Sequence, residues 1–269
     1  MKYIMNEIGL NELKKIQVDI LKDIHTFCQS TNLKYSLSFG TLIGAVRHKG
    51  YIPWDDDVDI MMPRKDYDIF IRSFKSENCR VIDHEINKSY IIPFAKVYDK
   101  RTSLIENVRF QANTGVYVDV FPIDTIPNSV KDINSLYKRK RLLYNIYKYK
   151  LSKGLPNWNI LKKTALKIIQ LFLSPITFNQ LLKLNERNTL KYQNDSNSKA
   201  GEAISFNSVK SGIINKDVFD DYMLVDFEGE KFYSIKKYDE FLCSVYGDYM
   251  ILPPIDKRVT HHSFKAFWI

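Results

Sequence analysis

Ser38-Phe39-Gly40-Thr41-Leu42-Ile43-Gly44-Ala45-Val46-Arg47-His48-Lys49-Gly50-Tyr51-Ile52-Pro53-Trp54-Asp55-Asp56-Asp57-Val58-Asp59-Ile60 decides how this chain is read. A small-residue turn, Gly40-Thr41, follows a short apolar strand. A basic loop, Arg47-His48-Lys49-Gly50, then leads to two carboxylates, Asp57 and Asp59, in an otherwise apolar segment. Strand alternation sends Asp57 and Asp59 to one face and turns Val58 and Ile60 into the core. Two adjacent carboxylates repel each other unless a cation lies between them. Mg²⁺ takes oxygen ligands and commonly combines one or two carboxylates with substrate phosphates. A Gly-Thr turn beside such a pair offers backbone N–H groups to phosphate oxygens. Together these parts describe a metal-assisted phosphoryl or nucleotidyl transfer site.

Working outward, each neighbouring residue has a site reading and a plainer one. Asp55 shares the parity of the Asp pair and joins it if the strand begins early; otherwise Asp55 and Asp56 lie in the loop. Gly40 lets backbone approach a phosphate with no Cβ in the way, and Thr41 stands beside it. Arg47 would clamp a phosphate through its two-pronged guanidinium, or be a solvated loop residue. His48 reads as a structural or surface histidine. Asp119 is the lone charge in Val116-Tyr117-Val118-Asp119-Val120-Phe121, a site carboxylate or half of a buried salt bridge. Lys96 alternates with apolar residues in Phe94-Ala95-Lys96-Val97-Tyr98 and calls for an anion, a phosphate in the site reading. Asp124 follows Pro122 and reads as a turn cap. Arg258, His261 and His262 either close over the site or form a basic tail.

Composition sets the bounds. The 269 residues are 45% hydrophobic and 13% aromatic, enough for a sizeable core, which excludes a disordered chain. The net charge of +9 suits an anionic partner or a lysine-rich solvated surface. Cys28, Cys79 and Cys243 are widely spaced, odd in number and without histidines at ligand spacing, as in a reducing compartment. Neither a signal peptide nor a membrane span is expected, so the sequence reads as cytoplasmic.

Leu13, Ile16, Ile20, Ile24 and Phe27 recur at helical spacing and predict a helix over residues 10–29. A strand over 35–39, a helix over 42–47, a strand over 58–62 and a helix over 63–74 follow. Further strands are expected at 81–82, 94–98, 103–105 and 115–121, with Pro122 and Pro127 ending this mixed unit. The fold class is α+β: a mixed twisted sheet with flanking helices, then a more helical second half. Three parts are expected: a catalytic core, 1–130; a basic helical insertion, 131–212; and a C-terminal part, 213–269, packing on the core. A hairpin around Glu228-Gly229-Glu230 and a helix over 237–246 belong to the last. From Ile133 to Asn185 there is no acidic residue. Within that stretch Leu161, Ala165, Ile168, Ile169 and Phe172 share a helical face. Lys163 and Lys167 lie opposite, with Lys162 at the edge. Such a helix faces either the core or an anionic membrane surface.

Three blocks resemble the LicD family of phosphocholine transferases, distant relatives of the fukutin-like proteins. They are the run from Gly40 to Asp59; Tyr117-Val118-Asp119-Val120-Phe121-Pro122-Ile123-Asp124; and Tyr246-Gly247-Asp248-Tyr249-Met250 with Leu252-Pro253-Pro254 and Arg258. The resemblance implies a nucleotidyltransferase-like core in which Asp57 and Asp59 are metal ligands and catalytic residues. Asp119 would then be a third carboxylate from a neighbouring strand, completing a second metal site or accepting the acceptor's proton. Gly40, Thr41, Arg47 and Lys96 would bind substrate. It implies two Mg²⁺ ions, with Mn²⁺ as a substitute. It further implies transfer of phosphocholine from CDP-choline to a sugar hydroxyl of a bacterial surface glycan, a teichoic acid or lipopolysaccharide precursor, releasing CMP. The glycan would be lipid-linked, the enzyme would lie peripherally on the inner membrane face, and nucleic acid is not an expected partner. Two rivals compete: a nucleotidyltransferase that moves the nucleotide itself, and a non-catalytic basic RNA- or membrane-binding protein. A choline head group needs aromatic faces. Tyr51, Trp54, Tyr98 and Tyr117 lie closest in sequence, and spacing does not choose among them.

Overall fold

The computed structural model describes residues 6–106, 114–154, 159–193, 198–206, 210–260 and 264–269. Along the first half run β1 (Glu7–Ile8), α1 (Leu10–Thr31), β2 (Ser36–Leu37), α2 (Phe39–His48), β3 (Asp59–Pro63) and α3 (Arg64–Ser73). Next come β4 (Cys79–Ile82), β5 (Ala95–Asp99), β6 (Thr102–Glu106) and β7 (Tyr117–Ile126). Helices α4 (Val130–Leu151), α5 (Ile160–Phe172) and α6 (Phe178–Leu190) lead to β8 (Lys199–Gly201) and β9 (Ile214–Asn215). The hairpin β10 (Tyr222–Phe227) and β11 (Glu230–Ile235), helix α7 (Tyr238–Tyr246) and β12 (Phe264–Trp268) complete the chain.

The apolar stripe of α1 buries Leu13, Ile16, Ile20, Leu21, Ile24 and Cys28 against the sheet. The helix stops at Asn32, whose φ of 56° turns the chain left-handed while its N–H meets the Cys28 and Gln29 carbonyls. The main sheet runs in the order β2-β3-β7-β5-β4, with β8 on the far end of β7 and β9 on β8. Only β3 and β7 pair in parallel among the described strands of this sheet. That pairing sets Asp59 opposite Asp119. A second sheet, β1-β12-β6, ties the two ends of the chain together. β8 falls within the segment read as an insertion, yet it extends the main sheet.

Three local expectations change. The strand expected at 35–39 is cut to Ser36–Leu37, because Phe39 adopts a φ of 44° and starts α2. Gly40 and Thr41 therefore lie in the first turn of α2 rather than in a turn ahead of it. Strand β7 runs through Pro122 instead of ending there. Pairing with β5 ends at Val120 and pairing with β8 begins at Asp124. The Asp119 N–H points to Val58, the residue just ahead of β3, so by alternation the missing Pro122 N–H faces the other side, in the gap between β5 and β8. Asp124 is consequently no turn cap. It is fully buried within β7 and binds Arg64 through Nε at 2.6 Å and Nη2 at 2.9 Å.

Helices α4 and α6 pack beside β7 over a small core of Ile126, Leu136, Tyr192 and Ala203. α5 lies against α4. Its Leu166, outside the face marked in the sequence, is its buried residue, whereas Leu161 is 78% and Phe172 80% exposed. The core-facing reading of that helix is overturned: its apolar face looks into solvent.

Candidate active site

The site lies at one end of the β3–β7 seam. Asp59 opens β3, with Val58 and Ile60 buried on either side of it. Its backbone is held at both groups: its N–H donates to Thr41 Oγ1 at 2.9 Å and its carbonyl accepts from Ser38 N–H at 2.9 Å. Thr41 is buried, so its hydroxyl positions Asp59 from behind. Ser38, the residue before α2, is fully buried, and its Oγ has no hydrogen-bond partner among the described residues.

The acidic loop is folded back by a turn in which Asp55 N–H bonds Ile52 O. Carboxylate oxygens of Asp55, Asp56 and Asp57 lie within 4.8 Å of one another. Gly40 makes this possible, because a Cβ there would sit 2.8 Å from Asp55 Oδ2. Gln17, a polar residue on the apolar face of α1, donates to Asp56 O at 3.0 Å and pins the loop from below. The loop's other end is braced by the hairpin: Tyr51 N–H donates to Glu228 Oε1 at 3.0 Å.

The charges converge on Asp59. Its carboxyl is raised well above the usual range by burial, then by Asp57, Asp119 and Asp55, with Lys96 acting in the opposite sense. Asp119 is paired with Lys96, whose ammonium is 2.8 Å from Oδ1 and 3.1 Å from the Tyr117 ring centre. Lys96 thus finds an anion within the protein, in Asp119. The donor set is all oxygen and its negative charge exceeds what one lysine balances. An all-oxygen set of this kind suits a hard divalent cation such as Mg²⁺ or Mn²⁺, and among the described residues Asp55, Asp56 and Asp57 bring their oxygens close enough together to share one. The sequence left Asp55 either in the strand with the Asp pair or in the loop, and the structure has it in the loop, ahead of β3. Its charge still reaches the cluster.

The cationic residues sit at the rim. Arg47 donates through Nη1 to Tyr249 O and through Nε to His48 Nε2 at 2.9 Å. Its guanidinium is pushed down by burial and by neighbouring Arg258. Arg258 lies over the Trp54 ring at 5.3 Å, beside the acidic loop. His261 and His262 lie outside the described residues. The C-terminal block reaches the site in one more place, since the Tyr246 hydroxyl is raised by burial and then by Asp59, Asp55 and Asp57. Sequence reading gave Ser38 and Tyr246 no role of their own, although both stand in the quoted blocks, and it missed Gln17, which carries no local pattern.

The nucleotidyltransferase domain model described as LicD/FKTN/FKRP matches residues 32–153, which include every carboxylate of the cluster. The lipopolysaccharide cholinephosphotransferase LicD of Haemophilus influenzae is 32% identical over 269 residues, covering 98% of this chain and 99% of that protein. The chain belongs to the LicD family. Two uncharacterized rickettsial proteins are also similar. The Rickettsia prowazekii one is 30% identical over 45% of this chain and 44% of its own. The Rickettsia typhi one is 30% identical over 56% of this chain and 49% of its own. The α+β fold and the three blocks noted in the sequence accord with this LicD assignment.

Proposed function

We propose that this LicD-family protein is a Mg²⁺-dependent phosphocholine transferase. It takes phosphocholine from CDP-choline to a hydroxyl of a surface glycan, lipopolysaccharide or a teichoic acid precursor, and releases CMP. The observation that carries this is the cluster of Asp55, Asp57, Asp59 and Asp119 at the β3–β7 seam, in a chain similar end to end to a named cholinephosphotransferase. Asp57, Asp59 and Asp119 would hold two divalent ions, which when bound neutralise charge on the diphosphate and the departing CMP.

The chain's own groups supply positioning. The start of α2 lies beside the acidic loop, with Gly40 packed on Asp55, so its first N–H groups would serve a donor phosphate bound there. Arg47 and Arg258 form an electropositive rim for the nucleotide. The acceptor oxygen attacks the choline-bearing phosphorus as the bond to CMP breaks, and CMP leaves with the electron pair. Asp119 takes the hydroxyl proton where it is not a ligand of the second ion, with Lys96 beside it. The test is incubation with CDP-choline, Mg²⁺ and lipid-linked glycan acceptors. Free CMP and a choline-bearing acceptor are expected. Cytidylate bound to the acceptor would instead establish nucleotidyl transfer.

A lipid-linked acceptor would be met at the cytoplasmic membrane surface, and α5 supports such a docking. Leu161, Ile168, Leu171 and Phe172 are exposed beside Lys162, Lys163 and Lys167. Among the described residues no helix is long and apolar enough to span a bilayer. Each basic residue near an anionic surface contributes about 1 kcal/mol, lost as salt rises. Binding to anionic but not neutral liposomes is expected, weakening with salt. The variant carrying Lys162→Gln, Lys163→Gln and Lys167→Gln should bind weakly, keep activity on a soluble acceptor and lose it on a lipid-linked one. Equal sedimentation of wild type and variant with anionic vesicles would reject this docking mode.

A further inference from the structure

The four aromatics nearest the acidic block in sequence do not all offer free faces. Tyr51 is buried against Phe227, Trp54 lies under Arg258, and Tyr117 under Lys96. A different set surrounds a cavity of about 690 Å³. Phe39, Phe94 and Phe121 form the wall toward the sheet, with ring centres 5.3 Å apart for Phe39–Phe121 and 4.3 Å for Phe94–Phe121. Tyr144, Tyr147 and Phe206 form the opposite wall, with Phe206 5.6 Å from Tyr144 and 4.9 Å from Tyr147. Glu202 also lines the cavity, its carboxylate accepting from Ser205 N–H at 2.6 Å and Ser205 Oγ at 3.0 Å.

This cavity adjoins the acid cluster. Phe121 follows Asp119 by two residues on the same face of β7, roughly 7 Å along the strand. Phe39 precedes Gly40, on which Asp55 packs. Tyr246 lines the cavity and also feels the charge of Asp59, Asp55 and Asp57. A group tethered by two methylenes to a phosphate at the acid cluster would therefore enter between the two walls.

We infer that this cavity is the head-group subsite and takes a quaternary ammonium between Phe121 on one side and Tyr147 and Phe206 on the other. The inference rests on the phosphocholine-transferase reading. The chemistry of the walls selects the ligand. A primary ammonium needs three hydrogen-bond acceptors, which aromatic walls do not supply. A trimethylammonium buries its methyl groups and is attracted by ring faces. Burial raises the Glu202 carboxyl, with Lys140 and the Ser205 bonds acting in the opposite sense, so its charge is not what the wall offers. The aromatic faces therefore carry the selection.

The experiment compares CDP-choline, CDP-ethanolamine and the uncharged isostere in which carbon replaces the choline nitrogen. Wild type should favour CDP-choline over either by about ten-fold in KM. Tyr147→Leu and Phe206→Leu, both at half-exposed positions, should each raise KM for CDP-choline about ten-fold and leave KM for the isostere within about two-fold. Tyr147→Phe, which keeps the ring, should retain the wild-type KM. If wild type turns over CDP-choline but the Leu variants keep its KM and selectivity, the subsite is overturned and the transferase reading stands. If wild type does not turn over CDP-choline, the transferase reading falls, and tetramethylammonium titrated by NMR judges the cavity alone. Shifts at Tyr147 and Phe206 lost in the Leu variants would uphold it; no binding by wild type would overturn it.

Discussion

Asp59→Asn is expected to lower CMP release from CDP-choline by at least about 1,000-fold while leaving the metal-free protein as stable as wild type, or more so. The loss follows from removing a central ligand of the oxygen cluster. The stability result follows from charge. Burial and three neighbouring carboxylates hold the Asp59 carboxyl above its unfolded value. A carboxyl raised by folding binds its proton more tightly in the folded state. Metal-free wild type should therefore gain stability as pH falls through the folded value, and Asn provides the neutral form at every pH. Its amide keeps the side chain's shape, and the backbone bonds to Thr41 and Ser38 are untouched. Asp57→Asn should share the activity loss. Asp119→Asn separates two roles, because it also strands the Lys96 ammonium. A loss of melting temperature with turnover intact would make Asp119 a structural partner alone. Near-wild-type turnover by Asp59→Asn in Mg²⁺ would remove the metal-site assignment.

Asp124→Ala should act in the opposite way: a large loss of stability with turnover per folded molecule retained. Arg64 is 5% exposed and Asp124 fully buried, and the pair is joined by two bonds. Arg64 also bonds Asp68 at 3.5 Å and pairs with Glu186 at 4.0 Å, both longer than its bonds to Asp124. Removing Asp124 leaves the buried Arg64 charge with only these two longer contacts, at a cost of about 3 kcal/mol. Replacing both, with Arg64→Leu and Asp124→Leu, should recover much of that loss, because an apolar pair of similar volume avoids the desolvation penalty. Urea denaturation of the two single variants and the double variant measures the coupling. If Asp124→Ala unfolds at the wild-type midpoint, the pair is not a stabilising contact.

The sequence was legible where a local rule had no competitor. Helix α1 follows from its stripe, hairpin β10–β11 from its Glu-Gly-Glu tip, and Asp59 and Asp119 from being charged among apolar strand residues. Reading failed where a distant partner decides. Pro122 looks like a strand stop, yet its missing donor falls between two partners that lie far from it in sequence. Asp124 looks like a turn residue because Arg64 is invisible from its own neighbourhood. The apolar stripe of α5 was visible, but which side faces solvent depends on α4. The walls of the aromatic cavity come from five separate places in the chain, so no spacing could assemble them.

The close approach of Gly40 to Asp55, and the seating of Tyr51 on Glu228, bear on how this region tolerates changes of length. A basic surface loop is ordinarily where insertions and deletions accumulate. Here the segment from Gly40 to Asp59 is fastened at four points: Asp55 rests on Gly40, Asp59 hangs from Thr41, Gly44 abuts Gly50, and the turn is plugged by Glu228. One residue added between Arg47 and Trp54 would have nowhere to bulge without releasing one of these fastenings. The spacing between the glycine and the paired aspartates thus behaves like a fixed ruler, and relatives that keep the chemistry should vary in length outside it.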